Sequence, residues 1–467
     1  MGLRIAILLA VIGGLALIGA IAYFAVPNRR GPRVAVLGTV AAVLIVATLV
    51  VFLAPIAGVT QAPVSASLSL YLTGQICESA PPTFNSNCGS GSNRLLNLRA
   101  TDGAIRWTAP DKANNTFIGA PILRDGIIYA LRQGSASGDA VATLLALRAT
   151  DGGEVWRAPL NSTPLDSTPL SMQVADGQIY VLLKRQENAS LLRVFRTSDG
   201  APTQQFTLPI FAGFTVTDGL IVACDTYLFS AGSPSAAFVA YHASDGSLAW
   251  RESLPIGAQT GPSVVPCAFV IGDGIIYTAP YQGDTVSAIH LADGQPLWTA
   301  SVEFVAALGL SKDQLIVVAA PSPFAAKSGQ ANPQSETILA LNLVDGHTLW
   351  QREFAAGQVN GPHSSGFIAV DEERAYIATT SALRSLRLSD GATLWQRKNS
   401  QSDGQFYSSP VVTQNSVFVH YGYSSGFEPD PALRSPQPSR IFALNAATGA
   451  PYWNTPVYST GFALGEV

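Results

Sequence analysis

The chain has 467 residues, with 27 Lys+Arg against 31 Asp+Glu, a formal net charge of −4 and only 12% charged residues. Setting aside the four arginines of residues 1–60, a stretch with no acid, leaves 23 basic against 31 acidic groups in the remainder. A mildly acidic body without a basic stripe argues against nucleic acid as a partner. A mean hydropathy of +0.26 calls for membrane segments or many buried strands.

Residues 1–58 read as a membrane anchor. Two apolar runs, Ile5–Val26 and Val34–Leu53, are each long enough to cross a ~30 Å hydrocarbon core as a helix. The turn between them carries Arg29, Arg30 and Arg33. By the positive-inside rule this turn is cytoplasmic and both outer ends lie outside. A cleaved signal peptide is the competing reading of the first run, and it also exports the rest of the chain. Residues 59–66 form a short linker, so the expected location is the cytoplasmic membrane of a bacterium-like cell, with residues 67–467 extracytoplasmic.

From Asn97 onward one pattern recurs eight times, as in LRATDGGEVW ending at Trp156. Its glycines are Gly103, Gly152, Gly200, Gly246, Gly294, Gly346, Gly391 and Gly449. All seven tryptophans of the chain, Trp107, Trp156, Trp250, Trp298, Trp350, Trp395 and Trp453, stand four residues after one of these glycines. The third copy has Gln204 instead, with Phe206 two residues on. Each copy reads as a hairpin: Gly accepts positive φ, Asp bonds its own backbone, and Trp adds a large apolar surface. A period near fifty residues fits a four-stranded propeller blade.

Upstream of the hairpins, apolar strands flank a second set of turns at Asp125, Asp176, Asp218, Asp273, Lys312, Asp371 and Gln414. With strands lettered A to D from the centre, these are A–B turns and the main repeat is the C–D turn. The expectation is all-β: an eight-bladed propeller over residues 67–467, preceded by two transmembrane helices. Blade 1 has no strand A before it. Gly461–Val467, after the last Trp, is expected to supply that strand and close the ring. Three long insertions, Ile76–Asn93, Pro321–Glu336 and Gly422–Ser439, fall between strands B and C, hence on one face.

The repeat resembles the PQQ-like, quinoprotein alcohol dehydrogenase-like propeller repeat, with its A-x-D-x-x-T-G-x-x-x-W pattern. Ala443–Gly449 followed by Trp453 comes nearest to it. The other copies put Asp where that family has Thr, and Arg, His or Asn where it has Asp. The chain is also similar to the propeller subunit of the outer-membrane β-barrel assembly machinery, with two spans replacing a lipid anchor. The resemblance implies the fold, and it covers both enzymes and non-catalytic scaffolds.

Four cysteines in an exported chain suggest disulfides, and the expected pairs are Cys77–Cys88 and Cys224–Cys267. His242 and His290 occupy a repeat slot that is elsewhere Arg or Asn, so they read as structural. No zinc spacing, nucleophile elbow, P-loop or dinucleotide fingerprint is present. Asp371–Glu373 falls at a turn and reads as solvated. The insertions carry the groups suited to anchoring a partner: Phe324, Phe427, Asp430 and Arg434. The leading expectation is therefore a non-enzymatic, membrane-tethered scaffold for envelope proteins or polymers, with no cofactor. The alternatives are a PQQ-dependent membrane dehydrogenase holding PQQ with calcium, and a sensor of an envelope ligand.

Overall fold

The computed structural model describes residue 65 and residues 67–76, 93–109, 116–133, 142–160, 168–184, 189–209, 211–226, 236–254, 267–280, 284–303, 305–319, 335–355, 367–379, 382–398, 405–406, 408–422 and 440–466. The chain divides into Met1–Ala62 and Pro63–Val467. Both apolar runs lie outside the described residues, among which no helix is long and apolar enough to cross a membrane.

The second unit is an eight-bladed propeller of antiparallel blades. Blade 2 runs Thr116–Arg124, Ile127–Gln133, Thr143–Arg148 and Glu154–Pro159, each strand paired with the next from the axis outward. Blades 3 to 7 repeat this order, and blade 8 has its strand A in two pieces, Gln405–Phe406 and Val411–Val412. Blade 1 takes its strand A from the C-terminus: Val457–Glu466 pairs with Leu68–Ile76, setting Leu464 opposite Leu70 and Phe462 opposite Leu72. This strand starts at Val457, earlier than the expected Gly461, because the ladder continues past a bulge between Thr73 and Gly74. Three strand limits shift similarly. Ile76 and Gly422 end strands B, and Ser335–Glu336 begin a strand C, so the three insertions are shorter than the sequence suggested.

The two turn families solve the reversal differently. In blades 2 to 5, Asp125, Asp176, Asp218 and Asp273 sit at φ 49–50° and the glycines after them at 70–73°. These are two-residue turns with both residues at positive φ, whose twist matches the right-handed twist of the strands. In blades 6 to 8 the side chains of Ser311, Asp371 and Thr413 instead accept the backbone N–H three residues on. The C–D turns are one turn type repeated eight times. The carbonyl of Arg148 accepts the Gly152 N–H, and its N–H donates to the Gly153 carbonyl. The Asp151 carboxylate accepts the Gly153 N–H at 2.8 Å. All eight strands D carry a bulge just past this turn, as between Ala146 and Leu147 on the facing strand. The bulge fixes where the Trp stands.

Each tryptophan spans to the next blade. The seven indole N–H groups donate to carbonyls three residues before the next repeat glycine, at 2.6–3.0 Å. The glycine itself lies against the indole face at φ 68–74°, and a Cβ there would overlap the ring. At blade 3 the work is split. Gln204 Nε2 donates to the Ser244 carbonyl at 2.6 Å, while Phe206 lies against Gly246. Phe206 thus supplies the aromatic surface at that blade that Trp supplies in the other seven. The eight hydrophobic clusters each join two neighbouring blades, so the core is a ring of interfaces.

Tyrosines of strand B support the indoles. Tyr71, Tyr129, Tyr277 and Tyr376 pack with tilted rings against the Trp of their own blade, centroids 5.9–6.1 Å apart. Burial raises the pKa of each, and that of Tyr180, above 10.0.

This architecture has two measurable consequences. Deleting Gly461–Val467 removes most of the strand nearest the axis of blade 1 and should cost several kcal/mol, a large part of the ~5–15 kcal/mol that holds a typical domain; denaturant melts measure it. Above pH 10 the unfolded chain loses tyrosine protons that the fold retains. Stability is therefore full below about pH 10 and falls as pH rises through the folded-state values, readable as tyrosinate absorbance appearing together with unfolding.

Candidate functional site

The alternation of strands puts the B–C and D–A connections on one face of the ring, and the A–B and C–D turns on the other. All three insertions, residues 77–93, 320–334 and 423–439, are B–C connections. Phe324, Phe427, Asp430 and Arg434 belong to two of them and lie outside the described residues, as do Cys77 and Cys88. What the structure describes are the roots of these insertions.

The root of the blade 6 insertion is ionic and buried. Glu336, second residue of strand C in blade 6, pairs with Arg384 on strand C of blade 7 at 2.9 Å. Both side chains are at most 2% exposed. The Thr379 hydroxyl donates to the same Glu336 oxygen at 2.7 Å, and Arg384 donates to the Thr379 oxygen at 3.1 Å. The Arg384 guanidinium also lies 4.4 Å over the ring of Phe354. Burial pulls the Arg384 pKa down, and the Glu336 charge opposes that pull. Bringing two charges out of water needs such geometry, because desolvation is only offset when the remaining donors and acceptors find partners.

The blade 8 insertion rises from an aromatic and polar root. Tyr421 and Phe442 meet edge to face at 5.7 Å, with Arg397 of blade 7 lying 5.9 Å from the Phe442 ring. Arg440 donates to the Asn454 side chain at 2.7 Å. Buried His420 touches the Val457 carbonyl through Nε2 at 3.0 Å, tying blade 8 to the closing strand. A further fastening on this face is the Cys224–Cys267 disulfide, joining strand B of blade 4 to strand A of blade 5, with Cα atoms 6.0 Å apart. This is the pairing expected from the sequence, and Cys224 lies within strand B, Leu220–Thr226.

The opposite face holds turn chemistry. Asp371 accepts the N–H groups of Glu373 and Arg374 and the Tyr376 hydroxyl, so it is a capping residue and not half of a carboxylate pair. His290 bonds Asp293 at 2.9 Å, in the slot where Arg148 and Arg196 bond Asp151 and Asp199. The slot is structural, as its repetition implied. His347 bonds Asp345 at 2.6 Å.

No group of three or more His, Cys, Asp or Glu that could hold a metal occurs among the described residues. The innermost strands as described hold one acid, exposed Glu466, and no Asn.

Sequence reasoning missed the Glu336–Thr379–Arg384 cluster. A signal was present: seven positions before the repeat glycine, blades 1, 2, 4 and 6 carry Leu96, Leu145, Val239 and Leu339, whereas blade 7 carries Arg384. A cation in an apolar slot needs a buried partner. Blade 3 has Arg193 there, and it donates to the Leu160 carbonyl.

A family model described as outer membrane protein assembly factor BamB matches residues 84–209 and 239–459. No curated protein sequence matches the chain. Among solved structures, BamB from Moraxella catarrhalis is 12% identical, covering 74% of this chain and 96% of that one, with a TM-score of 0.46. Quinohemoprotein alcohol dehydrogenase ADHIIG from Pseudomonas putida HK5 is also 12% identical, covering 77% and 72%, with a TM-score of 0.46. Dihydro-heme d1 dehydrogenase NirN is 11% identical, covering 85% and 75%, with a TM-score of 0.51. Likeness at such identities concerns the fold alone.

The buried pair generates a double-mutant test. Glu336→Gln removes the carboxylate that offsets the burial of Arg384 and should cost about 3–5 kcal/mol, as breaking buried pairs does. Combining Glu336→Leu with Arg384→Met should recover most of that loss in the same denaturant melts.

Proposed function

This chain belongs to the outer membrane protein assembly factor BamB family, and we propose that it is a non-enzymatic, membrane-tethered scaffold on the extracytoplasmic side, binding envelope proteins or polymers. The observation that carries this reading is the placement of all three insertions on the B–C face, with those of blades 6 and 8 springing from fastened roots. Insertions on one face can vary without disturbing the ring, because the repeat contacts that hold the blades together lie at the other. The tether is the pair of apolar runs, Ile5–Val26 and Val34–Leu53, spanning the cytoplasmic membrane.

Within the insertions, Phe324, Phe427, Asp430 and Arg434 have the chemistry of interface anchors, since aromatic and Arg side chains dominate hot spots. Cross-linking the full chain in intact membranes and identifying adducts by mass spectrometry tests the proposal. Phe427→Ala with Arg434→Ala should reduce capture of envelope components by about tenfold or more, at ~2 kcal/mol or more for a hot-spot residue. Replacing Asp371–Glu373 should leave capture unchanged once a melt shows the ring intact. Dye-linked oxidation of alcohols or sugars on adding PQQ and calcium would overturn the reading.

A further inference from the structure

The face opposite the insertions has a character of its own. Nine large hydrophobic side chains are exposed among the described residues, and all but Ile76 lie on C–D turns or the first residues of strands D. They are most regular on blades 5 to 8, where the residue before each Trp is Leu297, Leu349, Leu394 or Tyr452, 38–50% exposed. Val344, on the C–D turn of blade 6, is 85% exposed. Blades 1, 2 and 4 each expose one such side chain, while blade 3 carries Pro202 and Thr203 at this edge.

The chain enters the propeller at this same edge. Strand B of blade 1 begins at Leu68, whose N–H donates to the Ser65 carbonyl and whose own carbonyl accepts the Ala100 N–H of the blade 1 C–D turn. Upstream of that entry the sequence carries the linker and the two apolar runs. Blade 8, with Tyr452, is the neighbour of blade 1 through the closing strand.

The geometry points to a lipid-contacting edge on the C–D side of the ring, in which Leu297, Leu349, Leu394, Tyr452 and Val344 dip into the headgroup and acyl boundary. This rests on the proposed membrane tether, and it sets the insertions on the side of the ring facing away from lipid. The spacing favours lipid over protein. One apolar side chain on each of blades 5, 7 and 8 and two on blade 6 make a rim of separate contacts rather than the contiguous patch a protein interface needs. A planar bilayer surface meets such a rim at several points at once. Contact must be shallow, because the outer edges of strands D carry backbone groups that water satisfies and hydrocarbon does not. Tyr suits that boundary, having an apolar body and a polar tip.

At the rim of blade 7 Asp390 pairs with Arg387, and on blades 5 and 6 Asp293 and Asp345 hydrogen-bond His290 and His347, which carry charge only when protonated, so the acids of this side favour a zwitterionic over an anionic surface. The blade 8 turn, Asn445–Ala450, has no charged residue. Anionic headgroups are therefore not required.

The test uses the full chain reconstituted in phosphatidylcholine vesicles, with a photoreactive benzoylphenylalanine placed singly at position 394, 452, 203 or 76. Position 203 is the same edge on blade 3, and position 76 is the other face. Irradiation should give severalfold more lipid adduct from 394 and 452 than from 203 and 76. Equal or no lipid adduct from 394 and 452, in a chain that still fractionates with the vesicles, overturns the lipid edge and leaves the tether standing. Adducts from 394 or 452 to a second copy of the chain overturn it in favour of self-association. A chain that does not fractionate with vesicles sinks the tether and the edge together.

Discussion

The structure depends on one contact made eight times, an aromatic plate of one blade against the repeat glycine of the next. Three requirements meet there. The turn needs positive φ, the ring needs the volume a Cβ would fill, and the turn leaves a carbonyl that the indole N–H can reach. A side chain at Gly391, for example, would meet both backbone strain and the indole of Trp350. The contact is head to tail, so it propagates until rotation returns it to its start. Trp453 completes the circuit by donating to Ala100, with Thr455 bonding the Gly103 carbonyl beside it.

Closure is therefore made twice at one seam, once by sheet pairing near the axis and once by the indole contact at the rim. The two act at different radii, which resists both opening and tilting of blade 1. Blade 3 shows that the aromatic contact can be taken apart. Phe206 supplies the apolar plate and Gln204 the donor, from neighbouring turns of the pleat. An indole is then best understood as one residue doing two jobs whose separation costs a second position.

The fold was legible because its signals are local and repeated. Eight glycines in register, seven tryptophans at one offset and a period near fifty residues leave little but a propeller, and a blade lacking strand A beside a tail with strand character gives the closure. The Cys224–Cys267 pair was readable for the same reason, since the register puts the end of one blade's strand B near the next blade's strand A. Strand limits were less legible. Pairing with a neighbour extended Val457–Glu466 and Leu68–Ile76 beyond the apolar cores that mark them in sequence. The Glu336–Arg384 pair was not found because each residue is unremarkable alone and they lie 48 positions apart. Only comparison of Arg384 with its counterparts in other blades would have exposed it.

The two faces differ because different constraints act on them. At the C–D side every turn must present a glycine to one neighbour and an aromatic residue to the other, so its backbone is held to one form around the ring. At the B–C side no such contact recurs, and a blade can gain length there without altering its neighbours. That freedom has a structural consequence: the repeat no longer fixes the blades at that end, and individual fastenings do so instead. The disulfide between blades 4 and 5, the buried ion pair between blades 6 and 7, and His420 against Val457 at the closing seam all lie on this side. Each is a different chemistry at a different interface, as expected of solutions found separately rather than by repetition. The same side also holds the insertion roots, so the groups beyond them stand on supports peculiar to their own blades. The support that these roots offer is asymmetric even though the ring beneath them is not.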